Sequence, residues 1–355
     1  MSKKNTPIGV GIVGLGRAGN GMHRRDLDAR PGKFKIVAAC DVIKSRCDAV
    51  EEAYGCATYG SFDEMLKDPK IELVDIATPS PDHVPMTLKA LRAGKKVFLE
   101  KPIALTFKEA KKLERATKGR SKDLFIRHNR RFEEGFQHIQ EIIAQGLLGD
   151  VYEIKLRRHN YQRRADWQTI IECGGGQLLN WGPHIVDHAL RFLNGKVDSV
   201  WSDLRKIAAV GDAEDHVHII LKGGGKKTCV VDLEISGGVA LGEPTYLVYG
   251  TKGSLVEKGE QITMKYLDPK QKLSRTRASR ETPGTGSGFG AAEKLKWVEK
   301  TFPIKPKAKL GCDSIWDHLH ASIRHRKAFP ITLGEALQVM EVISLARKGT
   351  PFQLA

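Results

Sequence analysis

VGIVGLGRAG, residues 10–19, ends in the spacing Gly14-x-Gly16-x-x-Gly19 and stands where a first β-strand would hand over to a helix. Gly14 permits a tight turn, Gly16 lets the main chain approach a pyrophosphate, and Gly19 lets helix and strand pack closely. The helix N-terminus then faces the phosphates. With 36 glycines in 355 residues such a spacing also arises by chance, so its surroundings decide. Residues 8–13 are an apolar run of buried-strand type, the segment after Gly19 is polar and helix-compatible, and FKIVAAC, residues 34–40, is the next strand. That strand ends at Asp41, about 20 residues past the last glycine, where a carboxylate accepts hydrogen bonds from the adenosine ribose of a dinucleotide. A carboxylate there repels the 2′-phosphate of NADP, so NAD is the expected cofactor; Lys44 and Arg46 follow closely enough to offset that repulsion.

Strands and helices alternate beyond Asp41. Residues 44–54 read as a helix, 57–59 as a short strand, and Ser61 with Glu64 three residues on has capping-box spacing. Strands at 73–78, 96–100 and 124–126 with helices at 83–93 and 106–118 predict a doubly wound parallel sheet, an α/β Rossmann domain over 1–127. From residue 151 the strands lengthen, at 152–158, 216–221, 228–235 and 245–249, which predicts an α+β domain over 128–355 built on an open, mostly antiparallel sheet. The polar stretch 268–290 reads as a surface loop, and 313–326 and 333–348 as two closing helices separated by Pro330.

The bulk properties narrow the function. No run approaches the roughly 18 apolar residues that span a bilayer, and MSKKNTPIGV has no apolar signal region, so a soluble cytoplasmic protein is expected. The six cysteines form no CxxC pair and no metal-type cluster, so reduced thiols are expected. The formal charge of +16 comes from scattered lysines and arginines without a nucleic-acid-binding motif; a basic surface that attracts an anionic cofactor or substrate accounts for it.

Two segments carry chemistry. Glu100-Lys101-Pro102 closes a parallel strand and places an amine at the cofactor cleft. Pro102 holds Lys101 extended and admits a cis peptide, and partial desolvation lowers the amine pKa toward the range of an acid-base catalyst. GGGQLLNWGPHIVDHAL, residues 174–190, reads as a glycine-rich approach and a helix with Asn180, His184 and His188 at i, i+4 and i+8 and Asp187 beside them. His184 is suited to relay a hydroxyl proton. His184 and His188 have zincin spacing, but no third ligand accompanies them, and no metal is expected.

Together GLGRAG, CD at 40–41, TPSPDH at 78–83, EKP at 100–102, NRRF at 129–132, the GGGQLLNWGPH helix and ITLGEALQVMEVISLARKGTP resemble the glucose-fructose oxidoreductase and inositol dehydrogenase family, Gfo/Idh/MocA, over nearly the whole chain. The resemblance implies an NAD(P)-dependent oxidoreductase acting on a sugar, polyol or derivative, with Lys101 and His184 at the catalytic positions. It places Arg17, Thr78, Ser80, His83 and Glu100 along the cofactor, and Arg130 and Asp187 near the substrate. The family helix reads DxGxHxxD; here Asn180 replaces the first acid, and an asparagine orients His184 by hydrogen bonding alone. RRADWQ, residues 163–168, is a candidate substrate wall in which Trp167 stacks on a sugar face and Arg164 and Asp166 bind polar groups, or else Trp167 is simply packed.

The leading expectation is thus hydride transfer from a secondary alcohol. Its alternatives are redox-neutral glycoside cleavage or elimination through a transient ketone, and a non-catalytic NAD-binding sensor. The resemblance also implies a homo-oligomer, a dimer or tetramer, assembled on the open sheet.

Overall fold

β1 (Ile8–Val13) is buried at all six positions, as expected for a central strand of a parallel sheet covered on both faces. The computed structural model describes residues 6–119, 121–225, 228–275, 277–278, 280–282, 293–307 and 311–354. Positions 276, 279 and 283–290 of the expected surface loop lie outside the described residues.

After β1 come α1 (Arg24–Asp28), β2 (Phe34–Cys40), α2 (Lys44–Tyr54), β3 (Ala57–Tyr59), α3 (Phe62–Met65) and β4 (Leu73–Ile76). α4 (His83–Arg92), β5 (Lys96–Leu99), α5 (Phe107–Ala116) and β6 (Leu124–Ile126) complete the first sheet. Its order is β3-β2-β1-β4-β5-β6 with every pairing parallel, so the strand order reverses between β1 and β4 and opens a crevice at their carboxyl ends. Ser61 stands at the N-cap of α3 as its spacing predicts, but without a side-chain capping bond. Thr106 does cap α5, accepting from Glu109 N at 3.2 Å.

The second half holds α6 (Glu134–Ala144), β7 (Val151–His159), α7 (Gln177–Asn180), α8 (Gly182–Phe192), β8 (Val197–Arg205), β9 (His216–Gly223) and β10 (Cys229–Ser236). β11 (Tyr246–Gly250), β12 (Gly253–Lys258), β13 (Gln261–Leu267) and β14 (Trp297–Pro303) follow, then α9 (Ile315–His325) and α10 (Leu333–Arg347). The eight strands run β14-β13-β12-β11-β7-β10-β9-β8, antiparallel except for β7 against β10. Alternation sets the faces: Cys229, Val231, Leu233 and Ile235 of β10 are buried under the helices, while Val230, Asp232 and Glu234 point to the half-exposed outer face. α10 opens with a capping box, Thr332 accepting from Glu335 N at 3.2 Å while Glu335 Oε2 accepts from Thr332 N at 2.8 Å.

One feature of the C-terminal half was not legible as periodicity. α9 returns to the first sheet, where fully buried Trp316 packs edge-on against Phe98, Phe34 and His23 at centroid separations of 4.7, 5.4 and 5.8 Å. Arg324 of the same helix is bound to Glu72 at 2.7 Å, and Arg30 to Asp317 at 3.0 Å. The first sheet therefore takes part of its cover from the end of the chain.

Candidate active site

The glycine loop has the geometry its spacing requires. Gly14 has φ +89°, and a Cβ there would meet Ala77 O at 2.6 Å; at Gly19 it would meet Gly14 O at 2.0 Å. A Cβ on Gly16 would face open space over the loop, 3.9 Å from Arg46 Nη1. Asp41, at the end of β2, accepts from Leu15 N at 2.7 Å and Ile43 N at 2.9 Å, with Arg46 Nη1 3.4 Å away. Its carboxylate thus pins the loop. Asn20 Oδ1 and Thr78 Oγ1, in the first turn after the loop and after β4, are buried without a protein partner. Orphaned polar atoms, an open cradle at Gly16 and a carboxylate at the ribose position fit a dinucleotide along the crevice, past exposed Arg17, Ala18 and buried Ser80.

Lys101 follows β5 at that crevice, and its bond to Pro102 is cis. Its Nζ donates to the main-chain oxygen of Asn180 at 2.9 Å. That oxygen is free because the helix expected over 174–190 is broken: α7 stops at Asn180, and α8 starts at Gly182 with Pro183 in its first turn. Pro183 brings no N–H and its ring crowds the carbonyl four residues back. His184 N then turns to Trp181 O at 3.0 Å, leaving Asn180 O for the lysine. The expected hydrogen bond from the Asn180 side chain to His184 is not formed; His184 Nδ1 is buried with no partner. Asn180 serves Lys101 through its backbone instead.

Burial lowers the Lys101 pKa, and Arg127, Arg130 and Arg164 lower it further against the opposing charge of Glu100. Burial also takes His184 well below its ordinary value, with the positive charges of Lys101 and Arg130 adding to it, so the ring is neutral. A neutral imidazole and an amine of lowered basicity meet at the cleft, an arrangement able to accept and pass on a proton.

Other expected site residues have different duties. His83 is 1% exposed and places Nδ1 on Pro102 O at 2.6 Å and Nε2 on Thr78 O at 2.9 Å. Burial lowers its pKa against the two carbonyl contacts, and the ring braces the Lys101–Pro102 turn from behind. Glu100 is turned into the core, as described below, and not toward the cofactor. Asp187, expected at the substrate, is 1% exposed and held bidentate by Arg131, which also binds Glu335 at 2.9 Å; it ties α8 to α10. Arg130 stacks on Trp181 at 4.3 Å and binds Glu133 at 2.8 Å, while Arg158 covers Trp181 at 5.2 Å. Trp167 is 38% exposed in a short turn capped by Asp166, which Arg164 binds at 2.7 Å. Against its burial, Arg164, the Gln168 N–H and the charge of Arg17 hold the Asp166 carboxyl below its ordinary pKa.

Two family models match the chain: an oxidoreductase family with an NAD-binding Rossmann fold over residues 8–128, and the GFO/IDH/MocA C-terminal domain over 136–256. The chain belongs to the GFO/IDH/MocA oxidoreductase family. An uncharacterized oxidoreductase of Schizosaccharomyces pombe is 33% identical over 71% of this chain and 71% of its own. The scyllo-inositol 2-dehydrogenase (NADP(+)) IolW of Bacillus subtilis is 26% identical over 98% of this chain and 95% of its own. The solved NAD-binding protein from Listeria innocua shares the fold with a TM-score of 0.78 at 22% identity, covering 95% of each chain.

In this GFO/IDH/MocA oxidoreductase three buried groups beside the site escaped the sequence reading: His23, Arg127 and His128. His128 is 2% exposed with both ring nitrogens unpartnered, and burial takes its pKa down to about 4. His23 had a legible signal in Asp75, an acid within the apolar strand LVDI, which demands a buried partner. Among the described residues no cluster of His, Cys, Asp and Glu is arranged to hold a metal ion, and no helix is long and apolar enough to cross a membrane.

Proposed function

We propose that this oxidoreductase interconverts a secondary alcohol of a sugar, polyol or related compound with its ketone, using a nicotinamide dinucleotide. The observation that carries the reading is Lys101 Nζ, fixed on Asn180 O at the mouth of the cofactor crevice with lowered basicity. When bound, the dinucleotide supplies the hydride acceptor. Lys101 as the free amine takes the hydroxyl proton, and neutral His184 beside it orients the hydroxyl or passes the proton on. Arg164, Asp166 and Trp167 form the outer wall, and Arg130 on Trp181 the floor. The name of IolW supports an alcohol-bearing ring as substrate class. Incubation with the dinucleotide and a panel of aldoses, inositols, sugar acids and glycosides tests this: reduced cofactor forms with a member of the panel, and silence throughout would overturn the reading.

Asp41 supports NAD as the preferred cofactor, and Arg46, 3.4 Å from it, supports residual use of NADP. The ratio of kcat/KM for the two cofactors decides this, and a ratio near one refutes the preference. For assembly we propose the outer face of the eight-stranded sheet, where Trp201 and Trp297 are 52% and 47% exposed. Light scattering on the purified protein reads the oligomer, and a monomer at micromolar concentration rejects it.

A further inference from the structure

Beneath Lys101 lies a buried chain of charges that the reaction itself does not touch. His23 is fully buried, with Nδ1 2.8 Å from Asp75 Oδ2 and Nε2 2.9 Å from Glu100 Oε1. Both contacts are to carboxylates, which only accept, so both nitrogens donate and the ring is an imidazolium. Burial works against that charge, but Asp75 and the two hydrogen bonds outweigh it, with Arg127 opposing, and the pKa of His23 is raised. Glu100 Oε1 takes a second charged donor, Arg127 Nη1 at 2.7 Å, and Glu100 Oε2 accepts the main-chain N–H of Lys101 at 2.9 Å. Arg127 Nη2 reaches Asp26 at 3.2 Å, and Trp316 Nε1 donates to the same Asp26 oxygen at 3.0 Å.

Glu100 and Lys101 are neighbours at the end of an extended strand, where successive side chains point to opposite faces. A free carboxylate beside an ammonium group would swing to meet it, and a direct ion pair would hold the lysine protonated. Here both oxygens of Glu100 are engaged on the core side. We propose that His23 is a positioning residue for Lys101: by holding Glu100 turned into the core, it keeps that carboxylate off the amine and leaves the amine on Asn180 O, facing the cleft. Glu100 thereby contributes its charge at a distance and its hydrogen bond to the backbone, without capturing the side chain. The inference rests on Lys101 being the proton acceptor only for its catalytic consequence; the geometry it explains stands independently.

The test reads Lys101 directly. Trace acetylation of the full chain across pH, followed by mass spectrometry of the Lys101 peptide, gives the midpoint at which the amine becomes reactive, with neither substrate nor cofactor present. Around Lys101 the other charges are those of Arg127, Arg130 and Arg164, and the rings of His128 and His184 are already neutral where the amine titrates. In His23→Asn Glu100 keeps Arg127 and the Lys101 N–H but loses the imidazolium. The carboxylate turns toward the ammonium, and the midpoint rises by about one pH unit, about tenfold in the fraction of free amine at a given pH. His23→Asn/Glu100→Gln shows no such rise over Glu100→Gln, and an equal rise there, from loss of the His23 charge alone, overturns the proposal. In Glu100→Gln the opposing charge is gone and the midpoint falls. Opposite shifts support the proposal; an unmoved midpoint in His23→Asn, or shifts of the same sign, overturn it. Should His23→Asn not fold, His23→Gln, whose amide still donates to one carboxylate, carries the same test with a smaller rise expected, and an unmoved midpoint overturns it. A midpoint that shifts as expected in a protein silent toward every alcohol would sink the dehydrogenase reading and leave this one intact.

Discussion

Pro183→Ala probes the break that frees the Asn180 carbonyl. Alanine restores an N–H and removes the ring that crowds Leu179 O, so α7 and α8 can join and His184 N can return to its i−4 acceptor, Asn180 O. Lys101 then loses its anchor. A hydrogen bond from the neutral amine contributes about 0.5–1.5 kcal/mol, and each 1.4 kcal/mol is tenfold in a population, so the share of molecules with the free amine of Lys101 in place falls about 2- to 10-fold. kcat/KM falls by that factor. The fold is not weakened in step, because alanine is the better helix former; the melting temperature holds or rises. Asn180→Ala is the control: it deletes the side chain and keeps the carbonyl, so kcat/KM stays near the parent value. Steady-state rates and thermal melts on both variants suffice. If Pro183→Ala keeps full activity, or if Asn180→Ala loses as much as Pro183→Ala, the backbone anchor is not what places Lys101.

Three further outcomes are expected. Lys101→Met lowers kcat by about 10²- to 10⁴-fold, the range of a lost general base, while fluorescence titration shows NADH still binding. Trp316→Ala destabilises the protein by about 3–5 kcal/mol in denaturant unfolding, because the ring is fully buried against the first sheet. Stability also depends on pH with two opposite signs. The lowered pKa of Glu100 contributes stability above its ordinary value of 4.5 that is lost as pH falls below it, and the raised pKa of His23 contributes below its ordinary value of 6.5 and fades as pH climbs past it. Denaturant midpoints of the parent and Glu100→Gln should converge on acidification; parallel curves would argue against an ionised Glu100.

The first sheet was readable because its determinants are local. Apolar runs ending in Gly14, Asp41 and Glu100 mark strand ends, and the turn after β1 admits few residues other than glycine at φ +89°. Lys101 was readable for the same reason, as the residue after a strand and before a proline. Asn180 was misread because periodicity over 174–190 ignored what Pro183 does to the preceding turn. The resemblance sets Glu100 by the cofactor and Asp187 by the substrate, whereas the contacts they make are to His23 and Arg131, 77 and 56 residues away along the chain. Pairings between distant segments leave no periodic trace, only the oddity of a charge inside an apolar element, as at Asp75.

Trp316 also sets an order of events during synthesis. The surface of Phe34 and Phe98 is made early, yet the ring that covers it leaves the ribosome roughly 190 residues after β6, which is about 10–40 s at 5–20 residues per second. During that interval the nascent sheet shows a greasy face to the cell. Until α9 arrives, Phe34 and Phe98 lack the ring that packs on them, so the cover of the first sheet is completed only late in synthesis.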